Sequence, residues 1–266
     1  TNNYGYDVDY DYAGNVFVYG GNGTNPAYFP VAKYNSSGVL QWTFPGFLAS
    51  PTWTSYAYPS GFKVDPVSGK TYVGKLNTAT SANIIRLNVA GGFDSYSTAV
   101  TAGNTDIEVW DVDIDCITGN IISYTGAYSQ MHLFNPTTGS FISNTPINGS
   151  NCCTDPVSHA IDEQGINYVF YLAASNTAMN KALVKYNSSL NGITWSSTIG
   201  TTGFTYMNCK KSYANNNSST NSQGFNALAV NQNYVYFYDG YNLIACNASN
   251  GSQVAFTTVP LTARQQ

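Results

Sequence analysis

Hydrophobic residues in this chain come in short blocks closed by polar turns, and nowhere do they recur with the 3.6-residue period of an amphipathic helix. One block carries acids near its end and then turns at a glycine: Val8-Asp9-Tyr10-Asp11-Tyr12-Ala13-Gly14-Asn15. The pattern returns from Val64-Asp65 to Gly69-Lys70, from Val112-Asp113-Ile114-Asp115 to Gly119-Asn120, and at Ile161-Asp162-Glu163-Gln164-Gly165. A fifth copy, Val230-Asn231-Gln232-Asn233, has lost the acid and the glycine. After each copy comes a run rich in β-branched and aromatic residues: Val16–Tyr19, Thr71–Val73, Ile121–Tyr124, Tyr168–Tyr171 and Tyr234–Tyr238. Such residues fit a pleated surface. They are apolar at successive positions rather than alternate ones, which predicts strands covered on both faces.

A second punctuation follows, a strand ending in Asn before a polar, mostly Gly-containing turn. It occurs at Lys33-Tyr34-Asn35, Arg86-Leu87-Asn88, Leu133-Phe134-Asn135, Lys185-Tyr186-Asn187 and Ala245-Cys246-Asn247. The Asn side chain can close its own turn, and Gly supplies the positive φ. A fourth strand then completes each unit, as in Val39-Leu40-Gln41-Trp42 and Gly192-Ile193-Thr194-Trp195. The five Asn anchors lie 53, 47, 52 and 60 residues apart. Four-stranded units at this spacing, with both faces needing cover, predict an all-β fold: a β-propeller of five four-stranded antiparallel blades. The expected organisation is a single domain over 1–266, with blades near 6–45, 60–100, 109–145, 157–199 and 224–259. The chain would begin on an innermost strand and end after an outermost one. That predicts either closure by blade packing alone or a fragment of a longer chain. The long segments 44–59, 93–108, 142–156 and 196–224 join the units, and in a propeller such connections emerge on one face, where function usually sits.

Composition narrows the class. Only 9% of the 266 residues are charged, against about 25% in an average soluble domain. Yet 43% are hydrophobic and 15% aromatic, so the chain is not a disordered charged tail. Net charge is −4 and the ten basic residues are scattered, which argues against nucleic acid as a partner. No apolar run is long enough for a spanning helix, so membrane insertion is not expected. The chain starts at Thr1 without a signal peptide, as a processed or excised product would. Asn, Ser, Thr and Tyr fill the polar quota, a surface more usual in secreted or cell-surface proteins, so an extracellular location is expected.

The residues Asp11-Tyr12-Ala13-Gly14-Asn15-Val16-Phe17-Val18-Tyr19-Gly20, followed by Val31-Ala32-Lys33-Tyr34-Asn35-Ser36-Ser37-Gly38-Val39-Leu40-Gln41-Trp42, resemble the β-propeller repeats of bacterial secreted and surface proteins. They are similar to repeats abundant in Bacteroidota, often within large adhesin-like chains. The Asn-to-aromatic closing portion also resembles the tryptophan-bearing repeat of quinoprotein dehydrogenases. The resemblance covers most of the chain and implies a fold, while propellers of this kind serve many roles.

Candidate chemistry is sparse. Asp7, Asp9 and Asp11, and again Asp111, Asp113 and Asp115, alternate so that a strand would set each triplet on one face. Three carboxylates repel unless neutralised, and a Ca²⁺ ion held by their oxygens is one reading. The other is that Asp11 and Asp115 close turns before Gly14 and Gly119 while the remaining acids are solvated or hydrogen-bonded. No other cofactor is called for. Cys152, Cys153 and Cys209 fall in connections expected on one face, and a disulfide between Cys209 and one of the vicinal pair would staple the long 196–224 loop. A vicinal disulfide is also a feature of the quinoprotein alcohol dehydrogenases. Cys246 reads as a small buried hydrophobe in a strand, Cys116 as a turn residue, His132 as a strand residue and His159 as the start of a strand. No nucleophile motif accompanies either His. The uncharged aromatic loop around Trp53, Tyr56 and Tyr58 has the chemistry of sugar or protein contact, or of rings packed on a rim. The leading expectation is a non-enzymatic extracellular recognition, adhesion or surface-assembly module that binds a surface protein or a glycan. The alternative is a carbohydrate-active or quinoprotein-like enzyme on the same scaffold.

Overall fold

The structure is a computed structural model that describes residues 3–22, 31–44, 61–75, 83–97, 109–125, 130–146, 154–173, 180–198, 228–238 and 242–258. These residues form five four-stranded antiparallel sheets, each with its strands side by side in chain order, and no helix. The sheets are the blades of a β-propeller fold. The first holds β1 (Asn3–Tyr10), β2 (Val16–Asn22), β3 (Val31–Tyr34) and β4 (Leu40–Phe44). The second holds β5 (Phe62–Val64), β6 (Thr71–Lys75), β7 (Asn83–Leu87) and β8 (Phe93–Ser97). The third holds β9 (Val109–Ile114), β10 (Ile121–Thr125), β11 (Gln130–Phe134) and β12 (Phe141–Pro146). The fourth holds β13 (Thr154–Ile161), β14 (Asn167–Ala173), β15 (Asn180–Tyr186) and β16 (Ile193–Thr198). The fifth holds β17 (Leu228–Val230), β18 (Tyr234–Tyr238), β19 (Asn242–Asn247) and β20 (Gln253–Thr258).

Ten hairpin turns, two per sheet, are closed by an Asx side chain. After the first strand of each sheet the acceptor is Asp11, Asp65, Asp115, Asp162 or Asn231, whose Oδ1 takes backbone N–H groups of its own turn at 2.8–3.4 Å. After the third strand it is Asn35, Asn88, Asn135, Asn187 or Asn247, at 2.9–3.1 Å. These bonds satisfy turn N–H groups that the sheet ladder cannot reach and fix where each hairpin reverses. Left-handed glycines complete most of them; in the fourth sheet Leu190, at φ 52°, takes the glycine's place.

Once the turns are fixed, strand register follows, and with it a row of side chains across each sheet. In the first sheet the row is Asp9, Phe17, Lys33, Trp42; in the second, Lys63, Tyr72, Arg86, Asp94. In the fourth it is Ala160, Tyr168, Lys185, Trp195, and in the fifth Ala229, Tyr236, Ala245, Ala255.

The chain divides into two compact units, with the boundary running through the third sheet: 1–114 with 120–125 and 132–142, then 115–119 with 126–131 and 143–266. In the first unit, Phe17, Tyr19 and Val31 pack on Phe62, Val64, Val73, Ile85 and Leu87 of the next sheet, with Tyr19 stacked on Phe62 at 5.3 Å. Trp42 donates from Nε1 to the carbonyl of Val89 at 3.0 Å, and its ring lies on Gly91 so closely that a Cβ there would stand 2.6 Å away. Arg86, held by Asp94 at 2.7 Å, donates to the carbonyl of Pro136 at 2.8 Å. Val89 and Pro136 hold the same place, one residue past an Asn anchor.

The second unit repeats the arrangement with different residues. Tyr168 and Leu183 pack on Leu228, Val235, Phe237, Ile244 and Cys246. Trp195 donates to the carbonyl of Ala248 at 3.2 Å and covers Gly251, where a Cβ would meet the ring at 2.6 Å. Lys185 reaches the same carbonyl at 3.0 Å while its ammonium sits 5.3 Å from the Tyr168 ring centroid.

The docking of an indole on a turn glycine predicts an asymmetry between glycines of equal backbone geometry. Gly38 and Gly91 both sit at positive φ, +76° and +80°, but nothing lies within 4 Å of a Cβ at Gly38. Gly38→Ala is expected to cost about 1 kcal/mol, the left-handed penalty alone. Gly91→Ala is expected to cost about 3 kcal/mol, because the methyl also displaces the Trp42 ring. Urea denaturation of the two variants measures the difference, and equal losses would show that the ring is not seated as described.

Candidate functional site

The innermost strands of the first unit carry the carboxylates singled out by their alternation. Asp7 and Asp9 do alternate with exposed Val8 and Tyr10 along β1, as period two requires. The third member of each triplet departs from that expectation. The strands stop at Tyr10 and Ile114, so Asp11 and Asp115 stand in the turns, not on the strand face, and each closes its own turn. Asp11 is buried, accepts two hydrogen bonds from the Asn15 amide at 2.7 and 3.0 Å, and lies 3.7 Å from the Lys33 ammonium. Burial works against its charge, but the Asn15 side-chain and backbone bonds and the Lys33 charge outweigh it, and its pKa falls below the ordinary carboxylate value.

The remaining acids turn to the backbone. The Oδ1 atoms of Asp7, Asp9, Asp111 and Asp113 each accept the N–H of the following residue at 2.8–2.9 Å. Asp9 also accepts the Val64 N–H on β5 at 2.9 Å. Lys63 bridges Asp9 at 3.5 Å and Asp113 at 3.7 Å, tying three neighbouring inner strands together. Burial opposes the Lys63 charge, but Asp113, Asp9 and Asp111 prevail and raise its pKa. The backbones are close here too: a Cβ on Gly61 would stand 2.1 Å from the Val112 nitrogen. Among the described residues no group of three or more His, Cys, Asp or Glu is arranged to hold a metal ion.

In the second unit a small cleft of about 110 Å³ opens between two Asx turns, lined by Asp162, Glu163, Tyr168, Lys185 and Ser249 among others. The Tyr168 hydroxyl donates to Asp162 at 3.2 Å, and burial together with that carboxylate pushes its pKa far above the usual value. The cleft therefore offers carboxylate acceptors beside an ammonium already bonded to Ala248, a setting for a small polar group.

The other singled-out residues are placed as follows. Cys246 is buried in β19, and burial raises its thiol pKa to about 11, as suits a core residue. Cys116 lies exposed in the β9–β10 turn, with its thiol 3.7 Å from the Asp162 carbonyl. His159 lies within β13 and not at its start, because that strand already begins at Thr154. His132 is fully buried on β11 against Phe134 and Phe141, and burial lowers its pKa to about 4. Trp53, Tyr56, Tyr58, Cys152, Cys153 and Cys209 lie outside the described residues. Sequence reasoning missed Lys63 and Arg86 as inter-sheet partners. A signal existed for Arg86: like Lys33 and Lys185, it stands two residues before an Asn anchor.

No protein-family model matches the chain, and no curated protein matches it in sequence. Among solved structures it is similar to a Bacteroides caccae protein of unknown function, at TM-score 0.53 and 15% identity, over 96% of this chain and 81% of that one. It is also similar to a europium-containing methanol dehydrogenase, at TM-score 0.52 and 11% identity, covering 92% of this chain and 59% of the enzyme. Chaetomium thermophilum Raptor matches at TM-score 0.59 and 9% identity, over 97% of this chain and 20% of its own. At these identities the likeness is one of fold. It supports a propeller-like fold, with no named family attached.

The buried His132 sets a pH dependence. It is neutral when folded, with a pKa of about 4, whereas the unfolded chain takes up a proton near pH 6.5. The unfolded state therefore binds more protons between these values, and stability is lost as pH falls from about 6.5 to about 4, by up to roughly 3 kcal/mol. Thermal denaturation is expected to show a lower Tm at pH 5 than at pH 7, and His132→Leu to flatten that slope. An unchanged slope in the variant would assign the acid sensitivity elsewhere.

Proposed function

We propose that the chain is a non-enzymatic extracellular recognition module that binds a glycan or protein surface through its inter-sheet connections. One observation carries this reading: in every sheet the two Asx-closed turns occupy one end, so the β2–β3-type links and all the long connections attach at the opposite end. A rigid frame at one end with variable connections at the other is how scaffolds present binding loops. The connection 45–61 holds Trp53, Tyr56 and Tyr58 beside Pro, Ser and Thr with no charged residue, a composition suited to stacking on sugars or anchoring a protein contact. The methanol dehydrogenase likeness keeps a quinoprotein-like enzyme as the competing outcome, and the test is built to tell the two apart.

Glycan and surface-protein arrays probed with the full chain are expected to show a saturable ligand. Trp53→Ala is expected to weaken it at least about tenfold, the loss of one aromatic anchor, without changing the Tm. Dye reduction in the presence of added quinone and Ca²⁺, or release of reducing sugar from a glycan, would overturn the reading in favour of an enzyme. An array with no ligand would also overturn it.

A further inference from the structure

We propose that the cleft between the Asp162 turn and the Ser249 turn of the second unit is a sugar-binding site that takes neighbouring hydroxyls of a single pyranose ring. It stands at the Asx-turn end of its sheets and does not rest on the recognition role of the connections. The first observation is why the cleft exists. In the first unit, Gly69 in the first turn of the second sheet lies on Asp11: a Cβ there would stand 3.3 Å from Asp11 Oδ2 and 3.9 Å from the Lys33 ammonium. In the second unit, Gly165 in the first turn of the fourth sheet lies on Asp115 in the same way, at 3.0 Å from Oδ1. The fifth sheet has no such glycine to lay on Asp162. Its first turn, Asn231-Gln232-Asn233, closes with the Asn231 N–H donating to the Tyr234 carbonyl, three residues on. The corresponding bonds run five residues from Asp65 and four from Asp162. The shortened turn leaves open the ground that a turn glycine covers at Asp11 and Asp115, and Gln232 becomes a wall of the cleft.

The second observation is what that ground exposes. At Asp11 the carboxylate takes two bonds from the Asn15 amide and lies 3.7 Å from Lys33. At Asp162 neither arrangement holds. Ile166 stands where Asn15 stands, so its backbone N–H reaches Oδ1 but no amide reaches Oδ2, which has only the Tyr168 hydroxyl at 3.2 Å. Lys185, the counterpart of Lys33, turns to the Ala248 carbonyl at 3.0 Å, and among the described residues no ion pair joins it to a carboxylate. Asp162 therefore keeps an acceptor site and Lys185 keeps donors, both lining one cleft without being bonded to each other. Around them the side chains of Glu163, Gln164 and Gln232 have no hydrogen-bond partner among the described residues.

The charges choose the ligand. Two carboxylates and one ammonium line the cleft. An anionic group would lie against Asp162 and Glu163, and an ammonium against Lys185. A pair of neutral hydroxyls meets neither repulsion. Each hydroxyl both donates and accepts, so it can give its proton to a carboxylate while taking one from Lys185 or a glutamine amide. Hydrogen bonds to ionised partners are the stronger kind, and a sugar ring offers hydroxyls in adjacent pairs. The volume of about 110 Å³ suits the edge of one ring.

Saturation-transfer NMR and isothermal calorimetry on the full chain, with the methyl glycosides of glucose, galactose and mannose as probes, test this. Saturable binding of one or more of them is expected. Glu163→Ala is expected to weaken it about tenfold, and Gln232→Trp, which fills the cleft, to abolish it. Both are exposed turn residues, so circular dichroism and Tm should stay as in the parent chain. Trp53→Ala should leave this binding unchanged. No binding of any of the three glycosides overturns the proposal, and so does binding that Glu163→Ala and Gln232→Trp leave unchanged. Ethylamine or glycine binding in the cleft in place of the glycosides overturns it too. Glycoside binding lost only in Trp53→Ala assigns the sugar to the connections and overturns the cleft site alone.

Discussion

The hydrogen bond from an Asx side chain to the N–H groups of its own turn is the interaction on which the rest of this structure depends. It is local, needs no partner sheet, and costs little conformational entropy because the side chain is short. Repeated at Asp11, Asn35 and their eight counterparts, it sets where each hairpin reverses. In a sheet, a slip of one residue would turn every side chain to the opposite face. The turns therefore decide which residues look forward to the next sheet and which look back.

From that register comes the means of joining sheets. At Val89, Pro136 and Ala248, each one residue past a third-strand anchor, the carbonyl accepts a donor from the preceding sheet: the indoles of Trp42 and Trp195 and the guanidinium of Arg86. The donors differ chemically yet answer the same geometry. The cations also satisfy a second demand. With so few charges in the chain, Lys33 and Lys185 lie over the rings of Phe17 and Tyr168, and Arg86 and Lys63 are each held by carboxylates. Among the described residues, Lys63, Arg86 and Lys185 also reach a neighbouring sheet.

Much of this was legible in the chain. The five-fold repeat, its turn glycines and the anchors Asp11 and Asn35 are local features, and local chemistry can be read from neighbours in sequence. The pairing of Lys63 with both Asp9 and Asp113 was not legible, because it joins residues of three repeats and depends on how closely the inner strands converge at Gly61. For Asp11 and Asp115 the sequence offered both a strand face, from the alternation, and a turn, from the glycines that follow, and the ladder that stops at Tyr10 and Ile114 decided for the turn. A strand and the turn that ends it share the same spacing until backbone hydrogen bonds show where the ladder stops.

The sequence by itself determined the elements, the count of four-stranded sheets and the residues that close their turns, since each depends on contacts within a few positions. Only the tertiary structure decided what the charged and aromatic residues do. It assigned Trp42 and Trp195 to neighbouring turns, Arg86 to the Pro136 carbonyl and His132 to a buried place against Phe134 and Phe141. It also left Val8 and Tyr10 uncovered where their counterparts Phe62 and Val64 are buried. Those outcomes rest on which sheet face meets which, and such meetings are set by packing between residues far apart in the chain.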